Sequence, residues 1–383
     1  MANIYMKGWG CTANQDNEAI LAGLLVENDH TLVMSVEDAD VVILNTCAVK
    51  LKTEQKIMGF TGSIERLYPE KKIIFTGCMA GAQTKELQKE RPRIALVSTQ
   101  HITDINEVID RLLNGEVLCL TSKRMESKLN LPKRERKDGI GVVQIGEGCA
   151  DVCWFCATKL AKGHIRSFPI MDIVKQVQTY VENGIKRIYL TSQDNGAYGL
   201  DYNAVSQLAE LLGALVRIEG DFQIRVGMAN PRHIIPILDD LLNVYQSPKI
   251  IKFLHIPVQS GSEKVLQEMN RKHGVKDFKI LVDAFRKKFT DINIATDIIC
   301  GYPTETEEDF EETIHLLEEY KPDVVNIAKF TPRSGTKAAL LKQLPSQEVK
   351  RRSTIINDLY YNKIIAEKLN IKYPQRLLIE HNL

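Results

Sequence analysis

In the run Gly148-Cys149-Ala150-Asp151-Val152-Cys153-Trp154-Phe155-Cys156, three thiols are spaced C-x3-C-x2-C on one short stretch of chain. The run follows Val142-Val143-Gln144-Ile145, an apolar segment of strand length, so the thiols sit on the loop leaving that strand's C-terminal end. A cubane iron-sulfur cluster has four irons, and three cysteines this close can ligate only three of them. One iron is left with an open, reactive coordination position. The spacing differs from the C-x2-C pairs of zinc ribbons and from the C-x2-C-x2-C runs of ferredoxins. A structural zinc site completed by a distant fourth ligand is the alternative, but no His or Cys pair of suitable spacing occurs elsewhere.

Three further cysteines stand in equivalent places. Asn3-Ile4-Tyr5-Met6-Lys7, Asp40-Val41-Val42-Ile43-Leu44 and Lys72-Ile73-Ile74-Phe75 read as strands, and just after them come Gly10-Cys11, Asn45-Thr46-Cys47 and Thr76-Gly77-Cys78. In a parallel sheet all C-terminal strand ends lie on one edge, where such folds bind ligands. The three thiols therefore converge although they are far apart in sequence. Gly10 and Gly77 let the backbone come close to a bulky group. Any one of these cysteines could be a buried apolar residue; three in equivalent places read better as a second cluster with its own open iron.

The elements that position these thiols follow from pattern. With Ile94-Ala95-Leu96-Val97 as a fourth strand and helical stretches at 19–27 and 53–67, residues 1–120 predict a parallel-sheet, Rossmann-like α/β domain. Residues 121–138 have little apolar content and many cations, and read as a solvated basic linker, with phosphate contacts to RNA as the other reading. From 139 to 370, six strand-like runs (141–145, 187–191, 224–228, 252–258, 293–299 and 324–330) alternate with helical runs. That is a (βα)6 pattern, short of the eight units that close a barrel, so the fold class is α/β with an open partial barrel after the first domain.

At 383 residues the chain exceeds the size at which single cores usually stop growing, in keeping with two domains. A hydrophobic content of 44% and a charged content of 26% are ordinary for a globular protein. A net charge of +1 neither demands nor excludes nucleic acid; a basic surface would have to be local. No apolar run approaches the ~20 residues that span a bilayer, and Met1 leads into a strand-like segment without signal-peptide grammar, so a cytoplasmic protein with no membrane partner is expected. Eight cysteines in such a chain argue for metal or catalysis ahead of disulfides; Cys119 and Cys300 lack partners in the pattern and read as structural.

C-x3-C-x2-C after a first strand resembles the radical S-adenosylmethionine (SAM) enzymes. The resemblance implies that SAM chelates the open iron and is cleaved to a 5′-deoxyadenosyl radical by one electron. Two three-cysteine sets narrow it to the methylthiotransferase branch, whose Gly-Cys-x-x-Asn context is matched by Gly10-Cys11-Thr12-Ala13-Asn14, although Asn17 and Ala19 stand where Asp and Glu are typical. The runs His255-Ile256-Pro257-Val258-Gln259-Ser260-Gly261-Ser262 and Asp297-Ile298-Ile299-Cys300-Gly301-Tyr302-Pro303-Thr304-Glu305-Thr306 are similar to motifs of that branch over many positions. Lys162-Gly163 stands where a basic motif usually reads Arg-Gly, and Lys keeps the charge but loses bidentate bonding.

By resemblance Cys11, Cys47 and Cys78, and Cys149, Cys153 and Cys156, ligate two [4Fe-4S] clusters. Asp194 joins the second set as catalytic. Gln193, Asp194, Arg225, His255, Gln259 and Asp297 form the pocket around SAM and substrate, and Phe155 packs against the SAM adenine. A core aromatic is the alternative for Phe155, and a satisfied structural histidine for His255. Gly227-Met228-Ala229-Asn230-Pro231, Gln193 through Gly199 and Ala157-Thr158-Lys159 look most like the archaeal and eukaryotic branch. That branch acts on N6-threonylcarbamoyladenosine beside the tRNA anticodon, so the anticodon loop of tRNA is the implied partner; the sulfur donor and the electron donor stay unidentified. Isopentenyladenosine, a ribosomal-protein aspartate, or a non-enzymatic electron carrier or sensor are the alternatives. Family members usually continue into an RNA-binding β-barrel called TRAM, and residues 371–383 look like its first strand.

Overall fold

The computed structural model describes residues 1–369 except Met125, Glu135 and Lys137, so the strand expected at 371–383 lies outside the described residues. The chain divides into two compact units, one of Met1–Ala150 with Cys156–Arg225, the other of Asp151–Phe155 with Val226–Leu383. Among the described residues no helix is long and apolar enough to cross a membrane.

The first unit opens with the α/β layer that the early strands predict. Strands β1 (Asn3–Gly8), β2 (Thr31–Val33), β3 (Val41–Thr46), β4 (Lys72–Gly77), β5 (Ala95–Val97) and β6 (Cys119–Leu120) lie in the order β2-β1-β3-β4-β5-β6. Every neighbouring pair is parallel, and parallel strands need crossovers. Helices α1 (Thr12–Glu27), α2 (Leu51–Leu67), α3 (Cys78–Ala82), α4 (Thr84–Glu90) and α5 (Ile105–Leu113) belong to these connections. Both faces of the sheet are covered, which is why β3 is apolar without alternation. Val41 and Ile43 pack with Ile20, Leu21, Leu25, Ile105 and Ile109, while Val42 and Leu44 join Ile57, Ile64, Phe75 and Leu96 on the other face. In α5, Ile105, Val108, Ile109 and Leu112 recur at helical spacing and all are buried.

Periodicity starts the first helix at Ala19, whereas α1 begins at Thr12, because its first turns carry Asn14, Asp16 and Asn17, which are polar and yet buried. Strands β2 and β6 have three residues and two residues, too short for a periodic signal. The unit continues with β7 (Ile140–Gln144), β8 (Gly146–Glu147), α6 (Ala157–Lys162), β9 (Arg166–Ser167), α7 (Ile170–Glu182), β10 (Arg187–Thr191), α8 (Leu208–Val216) and β11 (Gln223–Val226). A second sheet runs β11-β10-β7, and β8 pairs antiparallel with β9. The basic stretch 121–138 is not simply solvated. Arg124 pairs with Asp104 and Glu126, each at 2.9 Å, Lys133 pairs with Asp16 at 2.9 Å, and Lys128 is buried. These cations are neutralised within the unit, which argues against a purely solvated connector and leaves them less available to a phosphate backbone.

In the second unit β12 (Phe253–His255), β13 (Asn293–Cys300) and β14 (Val324–Lys329) form a parallel sheet. Its helices include α9 (Pro231–Ile234), α10 (Leu238–Val244), α11 (Glu263–Glu268), α12 (Val275–Lys288), α13 (Glu307–Tyr320) and α14 (Ser346–Asp358). α13 starts at a reciprocal capping box between Thr306 and Asp309. All six strands of the expected partial barrel are present, in two three-stranded sheets, and among the described residues no barrel closes. β12 stops at His255, short of the expected 258, where Pro257 lacks the N–H that a ladder requires.

Candidate iron-sulfur site

At the C-terminal edge of the first sheet, register brings three thiols together. Thr46 of β3 pairs with Gly77 of β4, so the next residues, Cys47 and Cys78, leave the sheet side by side. β1 ends at Gly8 opposite Asn45, and a Cβ on Gly10 would stand 3.2 Å from the Cβ of Cys47. Gly77 holds φ at +89°, and a side chain there would meet the Thr46 carbonyl at 2.4 Å. Asn14 ties the loops together: its Nδ2 donates to the carbonyls of Trp9 at 2.6 Å and Thr46 at 2.9 Å. Asn45 Nδ2 donates in turn to the Asn14 carbonyl at 2.7 Å. Asp16 and Asn17 accept from Gln144 Nε2 on β7 at 2.8 and 2.9 Å.

Cys11 is exposed, and Cys47 and Cys78 are buried. Burial pushes the Cys78 thiol up to about 12; Lys162 works against that rise, and charge on Cys11 and Cys47 adds to it. A metal centre removes such a proton outright. Three thiols leaving the ends of three neighbouring strands are a donor set that fits a cubane held at three irons.

Behind this edge lies a buried ionic triad. Glu147 on β8 takes Lys128 at 3.0 Å and Lys162 at 3.1 Å, and no member is more than 1% exposed. Burial alone would raise the carboxyl, but the two lysines hold Glu147 at about 2. Burial lowers Lys128 to about 8, with Glu147 opposing and Lys162 assisting that fall. Lys162 is equally buried yet stays above the ordinary lysine value, because Glu147 and the thiols of Cys78 and Cys11 favour its charge. Two ammonium groups against one carboxylate leave one net positive charge next to the thiol edge. Lys162 ends α6, and Cys156 caps the start of the same helix. α3, which begins at Cys78, packs along α6, so closely that a Cβ on Gly81 would stand 3.1 Å from the Ala161 carbonyl.

The C-x3-C-x2-C loop is held on both sides of Cys149 and of Cys153. Gly148, at φ +90°, leaves no room for a side chain against the His164 carbonyl, and its N–H donates to Gln193 Oε1 at 2.6 Å. Cys149 N–H donates to the Gly163 carbonyl at 3.2 Å, and Lys159 Nζ donates to the Cys149 carbonyl. In the second unit Asp151 accepts from Asn230 Nδ2 at 2.5 Å and Arg232 Nη1 at 2.6 Å, and faces His233 Nε2 at 3.2 Å. Burial opposes its charge, but His233 and the nearby arginines hold Asp151 at about 2. Asn270 Nδ2 donates to the Val152 carbonyl at 2.7 Å, Trp154 N–H donates to the Met269 carbonyl at 3.0 Å, and Arg271 Nη1 reaches Cys153 Sγ at 3.5 Å.

The expected pocket residues are divided between the units: Gln193, Asp194 and Arg225 go with Cys149 and Cys156, and Phe155, His255, Gln259 and Asp297 with Cys153. Asp194 is buried at the head of a 3-10 turn over Asn195–Ala197. Arg225 lays its guanidinium 5.1 Å from the Tyr189 ring centroid. His255 Nε2 lies 2.9 Å from Asp297 Oδ1, which also accepts from Asn326 Nδ2 at 2.7 Å. Burial would raise Asp297, but His255 and Asn326 hold it below the usual carboxylate range. Gln259 adopts φ +76°, an uncommon conformation for a residue with a side chain, and donates its N–H to the Asp297 carbonyl at 2.8 Å. Phe155 packs against a cluster of Val265, Met269, Tyr302 and Ala338, contacts that suit the core-aromatic alternative. Cys300 is fully buried, its thiol pushed up to about 12 by burial. Sequence reasoning passed over Asp151, Glu147 and Arg271, and read Lys128 only as one cation of the basic linker; for Asp151 a signal existed, an acid placed between two of the cysteines.

The profile of the Radical SAM superfamily matches residues 143–317, and that of Uncharacterized protein family UPF0004 matches residues 3–99. A radical SAM methyltransferase, TsrM from Kitasatospora setae, shares the fold at a TM-score of 0.64 and 13% identity, over 88% of this chain and 75% of that one. OxsB, a cobalamin-dependent SAM radical enzyme, does so at 0.58 and 13%, over 96% and 56%. Residues 143–317, with the thiol loop near their start, thus form a radical SAM domain. A "Probable threonylcarbamoyladenosine tRNA methylthiotransferase" of Archaeoglobus fulgidus is 42% identical over 93% of this chain and 82% of its own length. The human threonylcarbamoyladenosine tRNA methylthiotransferase is 36% identical over 99% of this chain and 68% of its own. The chain belongs to the threonylcarbamoyladenosine tRNA methylthiotransferase family.

Proposed function

We propose that this chain adds a methylthio group to N6-threonylcarbamoyladenosine beside the tRNA anticodon, using SAM and two [4Fe-4S] clusters, in the cytoplasm. The observation that carries the reading is the shared face of α3 and α6 within one compact unit. It sets the edge of Cys11, Cys47 and Cys78 beside the helix that Cys156 caps, and sulfur insertion needs its sulfur source near the centre that opens a C–H bond. In this reading residues 1–120 supply the first donor set, 121–138 join it to the second, and 139–370 supply Cys149, Cys153, Cys156 and the pocket. Bound there, one cluster with SAM supplies a hydrogen-abstracting radical and the other supplies sulfur.

The chain's own contribution is placement. Gln193 and Lys159 fix the backbone on either side of Cys149, and Asp151 anchors the loop before Cys153. His255 and Asn326 keep Asp297 charged, a fixed anion for the amino or hydroxyl groups of a bound ligand. A base beside the anticodon lies in a loop and can be splayed into a pocket without opening a helix. The names of the relatives support this substrate over isopentenyladenosine. Nucleoside mass spectrometry of tRNA from cells lacking the gene tests the reading. The 2-methylthio form of threonylcarbamoyladenosine should vanish while its precursor rises; an unchanged methylthio pool refutes it.

A further inference from the structure

Arg271 is one of the residues that no family motif singled out, and its guanidinium is aimed at a thiol. Nη1 stands 3.5 Å from Cys153 Sγ, within the range of an N–H···S hydrogen bond. Nη2 donates to the Pro257 carbonyl at 3.0 Å, which fixes the planar fork in place. The backbone beneath it is fixed as well. Asn270 takes the left-handed conformation at φ +57°, and Arg271 N–H closes the end of α11 on the Leu266 carbonyl at 2.9 Å. The same corner holds Val152 and Trp154, the two neighbours of Cys153, by one hydrogen bond each. The contact between Arg271 and Cys153 is therefore built from both sides and does not depend on a swinging side chain.

Resting on the reading of Cys149, Cys153 and Cys156 as cluster ligands, we infer that Arg271 sets the reduction potential of that cluster through a charge-assisted hydrogen bond to the Cys153 sulfur. Hydrogen bonds to ligating sulfurs and net charge are among the factors that fix such potentials. Reduction adds one electron to an already anionic cluster, so a cation at the sulfur favours the reduced form. Removing it makes the electron harder to load. Asp151 and Asp297 both sense the charge of Arg271, so it is balanced by neighbouring carboxylates and does not act alone.

The test uses the full chain carrying C11A/C47A/C78A, which keeps only the cluster in question, and reads its midpoint potential by EPR-monitored redox titration. R271Q should make one-electron reduction at least tenfold less favourable, a fall of 59 mV for a one-electron couple. R271K, which keeps the charge, should fall between R271Q and the parent. An unmoved potential in an iron-loaded R271Q chain overturns the role of Arg271 and leaves the cluster assignment standing. Absence of iron from the C11A/C47A/C78A chain itself overturns the assignment, and the inference with it. A second measurement needs no substitution at Arg271: in wild-type holoenzyme labelled with 15N-arginine, pulsed EPR of the reduced cluster should show a 15N coupling, and its absence overturns the contact.

Discussion

Glu147→Gln tests whether the buried triad is held by its single anion. The carboxylate sits 3.0 Å from Lys128 and 3.1 Å from Lys162 with essentially no solvent access. At an effective dielectric of about 20, each contact is worth about 5 kcal/mol of attraction before desolvation is charged against it. Removing one partner of a buried pair typically costs 3–5 kcal/mol, because the other charge is left unpaired. Here the loss should fall near the lower end, about 3 kcal/mol, since Lys128 is already lowered to about 8 and can shed its proton once the anion is gone. Urea unfolding of the apo-protein should show a midpoint about 1 M lower for an m-value near 3 kcal/mol/M. K128M leaves the Glu147–Lys162 pair intact and should cost far less. The pH dependence has a definite sign: without Glu147 the folded-state pKa of Lys128 falls further below its unfolded value, the unfolded chain binds more protons, and the E147Q deficit shrinks as pH rises from neutrality. An E147Q midpoint equal to wild type, or K128M as damaging as E147Q, would refute the argument.

Three further outcomes are expected. Anaerobic reconstitution should load about eight irons per chain, and C149A/C153A/C156A about four, read by iron and sulfide analysis. G77A should lose the iron of the first set while keeping that of the second, because its new Cβ would press on the Thr46 carbonyl at 2.4 Å beside Cys47. Asp309, held at about 2 by Lys264, Ser262 and Thr306 in spite of burial, contributes stability that is full above its unfolded value near 4 and lost as pH falls toward 2. Denaturant midpoints of D309N should accordingly vary less with pH over that interval than those of wild type.

How much of this was legible in the sequence depended on how local the cause was. Cys47 and Cys78 could be set side by side because each directly follows an apolar run of strand length, and parallel register does the rest. The strands 187–191 and 293–299 were equally plain, being β-branched runs bounded by turns. Lys128 and Lys133 were not legible: a lysine in a charged, aperiodic stretch reads as solvated until Glu147 and Asp16, far away in sequence, are seen beside them. Asn14, Asp16 and Asn17 hid the start of α1 for the same reason, as buried polar groups whose partners come from other segments. Arg271 carried no signal of its own, since nothing in its immediate sequence names a thiol as its neighbour.

Gly81 gives the contact of α3 with α6 a consequence of its own. With no side chain at that crossing, the two short helices meet so closely that little room is left for a Cβ. A side chain there would act as a shim, pressing on the Ala161 carbonyl at 3.1 Å and pushing apart the segments that bear Cys78 and Cys156 by a few tenths of an ångström. Under the proposed function, the separation between the two donor sets is thus adjustable at a position that ligates nothing.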